Sequence, residues 1–137
     1  VGDIDTIDAS VITRLLDAGF LPVVSPLSSD ATGQLLTINA DTVAGNLAAA
    51  VGASRLVFLT DVEGVRGADG TVVRRLTGKD ARSLIADGTV GGGMIPKVEA
   101  CLHALGLGVE VQIVDGRHSG MLLASAGAGT TFARDGA

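Results

Sequence analysis

Residues 89–114 read TVGGGMIPKVEACLHALGLGVEVQIV, and the fold turns on this stretch. Three glycines, Gly91, Gly92 and Gly93, precede a helical pattern over about 95–105. Pro96 falls in its first turn, where the missing N–H removes no helical bond. Val109–Val114 (VEVQIV) then has the length and β-branched content of a strand. A glycine turn, a helix and a strand in succession form one repeat unit of an α/β fold.

The same alternation extends outward. Arg55–Thr60 (RLVFLT) reads as a parallel-type strand, apolar on both faces. Before it, Asp41 is the expected cap of an Ala-rich helix that runs to Val51 and stops at Gly52. After it come a tight turn at 68–71, a short strand over 72–76, and a helix opened by Thr77 and Asp80 that stops at Gly88. Val1–Asp5 is expected to be a short strand or an extended entry. Asp8 is expected to open a helix to Asp17 with Val11, Ile12, Leu15 and Leu16 inward. Phe20–Leu27 (FLPVVSPL) has strand length with prolines at its edges, and Gln34–Ile38 returns as a hairpin partner. Asp115-Gly116-Arg117 ends the strand over 109–114, a short helix is expected to follow through Leu123, and 126–137 is Gly-rich and weakly determined. The pattern predicts one domain over 1–137, with a mainly parallel sheet covered on both faces.

Composition narrows the function. The 137 residues are 47% hydrophobic and 18% charged, enough for a core and too apolar for a disordered chain. Three Phe, no Tyr and no Trp leave little for base stacking. A net charge of −5 argues further against nucleic acid. The single Cys101 excludes an internal disulfide and reads as a small buried side chain. His103 and His118 lack partners at metal-ligand spacing. No apolar run reaches the roughly 20 residues of a membrane span, so no membrane partner and a cytoplasmic location are expected.

Three segments could carry chemistry. There is no Walker A motif, since Gly78-Lys79 is followed by Asp80, and no GxGxxG opens a helix after a strand. Gly91-Gly92-Gly93-Met94 leads into a helix whose N-terminal N–H groups and dipole favour an anion. Lys97 in that first turn opposes the dipole, and a bound phosphate would reverse the sign. The ordinary alternative is a flexible loop with a surface lysine. Asn39-Ala40-Asp41 is either a plain cap or a carboxylate placed to hold a lysine. Thr60-Asp61-Val62-Glu63-Gly64-Val65, at a strand's carboxyl end, is either scaffolding or a ligand edge.

Together INADTVAGNLAAAVGA, LVFLTDVEGV, DGTVGGGMIPKVEACLHAL, VQIVDGR and GAGTTF, in this order, resemble the C-terminal, nucleotide-binding half of acetylglutamate kinases in the amino acid kinase superfamily. The resemblance covers about Val1 to Phe132. It implies a three-layer α-β-α sandwich and ATP-dependent phosphorylation of the side-chain carboxylate of N-acetyl-L-glutamate, in arginine biosynthesis. It implies that Lys97 stabilises the transferring phosphoryl group and that Asp41 organises the catalytic lysines. Thr60, Asp61, Val62, Glu63, Gly64, Val65 and Arg66, with Thr89, Val90, Gly91, Gly92, Gly93 and Met94, would line the nucleotide. Magnesium is expected with ATP, without a protein ligand that can be named.

Two departures qualify what the resemblance implies. The family reads Asn-x-Asn-Ala-Asp where this chain has Thr37-Ile38-Asn39-Ala40-Asp41. Thr37 and Asn39 are the matching substrate positions. A hydroxyl at Thr37 replaces an amide that offers separate donor and acceptor groups. A carrier-linked glutamate or aminoadipate is therefore an alternative acceptor, and a non-catalytic nucleotide-binding module is an alternative role. The family's N-terminal half, with its glycine-rich loop, second lysine and dimer surface, has no counterpart in these residues. The expectation is that this chain alone is not a competent kinase and that the full-length protein is a homo-oligomer, dimer or hexamer.

Overall fold

In the computed structural model, the structure describes residues 2–118, 120 and 127–136. Chain order runs α1 (Ser10–Asp17), β1 (Leu27–Ser29), β2 (Leu35–Thr37), α2 (Ala40–Ala50), β3 (Arg55–Thr60), β4 (Arg75–Thr77), α3 (Gly78–Ala86), α4 (Met94–Gly106), β5 (Glu110–Asp115) and β6 (Thr130–Ala133). The main sheet has the order β3-β5-β6-β4. Its β3–β5 and β6–β4 pairs are parallel and its β5–β6 pair is antiparallel. Helices α2, α3 and α4 pack on this sheet, and α4 also touches both of the others. The α/β class and the mainly parallel sheet are as the pattern predicts.

β5 is central, and five of its six residues, Val111 to Asp115, are buried. β3 has a similar composition but occupies the sheet edge, so only Phe58 is fully buried. The core closes around Val98, Cys101 and Ala104 of α4, Val111 and Ile113 of β5, and Leu76 and Phe132 of β4 and β6. Buried Gly45 of α2 faces α4, where a Cβ would make ordinary contact with Ala100 and Ala104. Thr77 caps α3: its hydroxyl oxygen accepts from the Asp80 N–H (3.2 Å) and donates to the Asp80 carboxylate (2.7 Å).

Several expectations are corrected. Asn39, not Asp41, caps α2, its Oδ1 accepting from the Thr42 N–H at 3.1 Å. Two cap-competent side chains stand two residues apart, and the one with extended backbone takes the role. Residues 2–9 form no strand; the Gly2 N–H donates to Thr37 O, and the Ala9 carbonyl accepts from Thr13 at the start of α1. α1 buries none of its residues; Ile12 is half-buried, and Val11, Leu15 and Leu16 are exposed. The strand expected over 20–27 is limited to its last residue, which begins β1; the Pro26 carbonyl adds one bond to the hairpin, accepting from the Ile38 N–H at 3.0 Å, and among the described residues no strand pairs with 20–25. The strand expected over 72–76 is shifted to Arg75–Thr77. The closing segment, read as weakly determined, holds β6 in the middle of the sheet. Gly129 makes this possible: it has φ +66°, and a Cβ there would overlap the Ile113 carbonyl oxygen of β5. The helix expected after Arg117 lies mostly outside the described residues. No described helix is long and apolar enough to cross a membrane.

Candidate functional site

The site is built on the N-terminal ends of α2 and α4 and the carboxyl ends of β3 and β5. Lys97, in the first turn of α4, donates from Nζ to Asp41 Oδ1 at 2.8 Å. The two side chains retain only 16% and 23% of their exposure. The Lys97 Nζ also lies 5.1 Å from the centre of the Phe58 ring on β3. Because Asn39 serves as the cap, Asp41 is available for this pair. A carboxylate suits the start of α2, while an ammonium at the start of α4 is disfavoured by about 0.3–1 kcal/mol. Asp41 offsets that penalty, and an arriving anion would do so too.

The glycine run leads into this turn. Gly92 has φ +55°, which a side chain rarely adopts, but Gly91 and Gly93 have no such requirement. Gly93 is in the ordinary helical region, at φ −66° and ψ −11°. A Cβ at any of the three would meet nothing within 4 Å. Only Gly92 is therefore needed by the backbone, and the space over the run is open. Met94 and Ile95 donate weakly to the Gly91 and Gly92 carbonyls, at 3.2 and 3.3 Å.

The turn after β3 is held at several points. Thr60 and Asp115 are register partners at the ends of β3 and β5, and the Gly116 N–H donates to Thr60 O at 2.8 Å. Thr60 Oγ1 reaches Asp61 Oδ1 at 3.3 Å. Arg66 donates to Gly70 O at 2.8 Å and pairs loosely with Glu63 at 3.5 Å. Gly64, Val65 and Val90 are buried; the Val65 N–H donates to the buried Thr130 hydroxyl, and the Val65 carbonyl accepts from Val73. Asp61, Glu63 and Arg66 are exposed, Val62 and Thr89 half-buried. Thr37 and Asn39 are exposed on and just after β2.

Other polar groups at this end escape a reading of the sequence. Asp115, almost fully buried, takes a fork from Arg117: Nε to Oδ1 at 2.9 Å and Nη2 to Oδ2 at 2.8 Å. The Arg117 backbone N–H adds a third bond at 3.0 Å, and His118 Nδ1 lies 3.3 Å from the same carboxylate. These contacts hold the Asp115 carboxyl well below the usual carboxylate range, the Arg117 side-chain bonds contributing most. Arg117 is in turn held protonated by Asp115, with smaller contributions from Asp61 and Glu63. His103 and Asn46 join α4 to α2 at 3.1 Å. Asn46 spends its amide N–H on Thr42 O, so its oxygen accepts and His103 Nε2–H donates. The Arg117 fork was legible in principle from Asp115-Gly116-Arg117 at a strand end; the Asn46–His103 contact spans 57 residues and has no local signal. Burial pushes the Cys101 thiol up, which makes it an unreactive core group. Among the described residues, no group of three or more His, Cys, Asp or Glu could hold a metal ion.

The chain resembles known proteins over most of its length. The chain is 48% identical to an acetylglutamate kinase of Azorhizobium caulinodans over 139 residues, 98% of this chain and 46% of that protein. It is 51% identical to an acetylglutamate kinase of Solidesulfovibrio magneticus, over 85% of this chain and 40% of that protein. It thus spans less than half the length of these curated relatives. Among solved structures, N-acetylglutamate synthase of Neisseria gonorrhoeae, complexed with coenzyme A and L-arginine, superposes with a TM-score of 0.88 at 29% identity, covering 97% of this chain and 32% of that one. Carbamate kinase of Giardia lamblia, with a TM-score of 0.75 at 20% identity over 96% of this chain and 45% of that one, shares the fold. The amino acid kinase family profile matches residues 1–115, more than four-fifths of the sequence. On that match and the shared fold, the chain belongs to the amino acid kinase family.

Proposed function

We propose that this chain forms the nucleotide-binding part of an acetylglutamate kinase, which transfers a phosphoryl group from ATP to the side-chain carboxylate of N-acetyl-L-glutamate. The observation that carries the reading is the Lys97–Asp41 pair one turn after a glycine run whose first and last members the fold does not need. Glycine that is not required by φ or by packing is explained by close approach of a ligand to the backbone. Phosphoryl transfer demands chiefly positioning and neutralisation of charge. ATP would supply the phosphoryl group and an accompanying magnesium ion further positive charge. Lys97 would bring its ammonium to the phosphates, and Asp41 would hold that ammonium in place. Gly91, Gly92, Gly93 and Met94 would admit the phosphates to the start of α4. The Asp61–Arg66 turn with Thr89 would border the nucleotide, Gly64, Val65 and Val90 supporting it from the core.

Asn39 and Thr37 would face the acceptor, as the family pattern implies. Thr37 in place of an asparagine keeps carrier-linked glutamate or aminoadipate as a second acceptor. The test uses a full-length chimera, in which the portion of the Azorhizobium caulinodans enzyme that this chain does not match is joined to it. Acyl phosphate is trapped as hydroxamate with free N-acetyl-L-glutamate or with a carrier-linked substrate. Turnover of the free amino acid is the expected result; turnover of the carrier-linked form alone would overturn the acceptor.

A second reading is a non-catalytic nucleotide-binding module, since a synthase rather than a kinase shares the fold over 97% of this chain. It predicts that Lys97→Ala in the chimera leaves kinase activity unchanged. The higher identity to kinases, 48–51% against 29%, supports the catalytic reading.

A further inference from the structure

The turn after β3 rests on β6. Thr130, the first residue of β6, pairs with Ile113, two residues before the carboxyl end of β5. It therefore lies toward the end of the sheet from which the Asp61–Arg66 turn leaves β3. Its side chain is fully buried, and its hydroxyl oxygen accepts from the Val65 N–H at 2.9 Å. Gly64 stands so close that a Cβ there would lie 2.7 Å from that hydroxyl and 2.9 Å from Val72. On the other side, the Val65 carbonyl accepts from the Val73 N–H at 2.9 Å, and Arg66 bridges to Val72. Both backbone polar groups of the buried Val65 are thus paired. One partner is the stretch of chain that follows the turn; the other is a side chain 65 residues away.

Thr130 is itself held from both sides. The backbone of Gly129 lies against the Ile113 carbonyl oxygen, so close that no Cβ fits, and Phe132, two residues on, is buried in the core. A valine has the same shape as threonine and an equal preference for a strand, but it accepts no hydrogen bond. Packing alone therefore gives no reason for a hydroxyl at 130, whereas the buried Val65 N–H does, because it would otherwise lack an acceptor. We propose that Thr130 is a positioning residue for the nucleotide site, an assignment that rests on the reading of this turn as a border of the nucleotide. Its hydroxyl fixes Gly64 and Val65 from beneath and so sets the exposed members of the turn, Asp61, Glu63 and Arg66, toward the ligand. Buried behind Gly64, Thr130 reaches neither ATP nor the reacting atoms. Lys97 and Asp41 stand on α4 and α2, outside this support. Loss of the hydroxyl should therefore weaken nucleotide binding and leave the transfer step as it was.

The full-length chimera is compared with its Thr130→Val, Thr130→Ala and Thr130→Ser variants. The first two remove the hydroxyl; the third keeps it and removes the methyl. The KM for ATP, with the calorimetric Kd beside it, should rise about tenfold in Thr130→Val and Thr130→Ala at unchanged kcat, the scale of one buried N–H left without an acceptor. Thr130→Ser should hold the KM within about twofold of the parent, since its hydroxyl accepts the same bond. Hydrogen exchange at the Val65 amide, read without nucleotide, should be faster in the two hydroxyl-free variants than in the parent and in Thr130→Ser. Asp61→Ala, in the turn itself, reports separately whether the turn meets the nucleotide. A raised KM in Asp61→Ala beside an unchanged one in Thr130→Val overturns the role of Thr130 and leaves the nucleotide reading standing. An unchanged KM in both overturns the two together. A loss in kcat at constant KM, or a Thr130→Ser as impaired as Thr130→Ala, would also overturn the role, the latter because the methyl would then be the group that counts. So would hydroxyl-free variants that fail to fold beside a folded Thr130→Ser, which would assign the hydroxyl to stability alone.

Discussion

The Lys97 ammonium and the Asp41 carboxylate meet at 2.8 Å and join the first turn of α4 to the first turn of α2. The pair is mostly shielded from water and is the tie between the glycine run and the Asn39-Ala40-Asp41 segment. Lys97→Met or Asp41→Asn should each lower stability by about 1–3 kcal/mol, since each leaves a partly buried charged group without its partner. The double variant should lose less than the sum of the two. Urea unfolding of the four proteins gives the coupling directly; additive losses would mean that the pair contributes nothing.

Gly93→Ala should keep the unfolding free energy within about 1 kcal/mol of the original, because its backbone angles suit alanine and the added methyl meets open space. The same variant should weaken ATP binding in the chimera, measured by calorimetry. Unchanged affinity would remove the glycine run from the nucleotide site.

Gly129→Ala should do the opposite. Its φ of +66° and the approach of the Ile113 carbonyl oxygen leave no room for a side chain. β6 would lose its place between β5 and β4, at a cost of at least about 3 kcal/mol. Thermal unfolding followed by circular dichroism checks this; a small loss would mean that the sheet tolerates a shift at this corner.

Asp115 gives the chain an acid-sensitive contact. Its carboxyl titrates below the ordinary aspartate value when folded, so the stability it contributes is fully present above about pH 4 and is lost as pH falls toward the depressed folded value. Arg117→Gln should flatten this part of the acid limb and leave the profile above pH 5 parallel to the original. Urea midpoints between pH 2 and pH 6 provide the comparison. An unaltered acid limb would show that the fork does not perturb Asp115.

How legible this was depended on where each residue's partner lies. VEVQIV was readable as a strand because it is rich in β-branched residues, and β5 is buried from Val111 to Asp115. Gly91–Gly93 and Lys97 stood out because a lysine at a helix start is locally unfavourable and asks for a reason. The exchange of roles between Asn39 and Asp41 was not readable, since either can cap and only the tertiary bond to Lys97, 56 residues away, separates them. β6 was hidden because four residues in a glycine-rich tail become a strand only through β5 and β4. Residues 20–25 carry the opposite lesson: the pattern of a strand is present, and no strand among the described residues pairs with it.

The most direct test of the central claim is the turnover of ATP and N-acetyl-L-glutamate by the full-length chimera, by its Lys97→Met variant and by the 137-residue chain alone. The chimera should form acyl phosphate, the variant should lose about 100-fold or more in kcat, the scale expected when one group that stabilises transition-state charge is removed, and the chain alone should show no turnover. A Lys97→Met chimera as fast as its parent, or a chain that turns over unaided at the chimera's rate, would contradict the account.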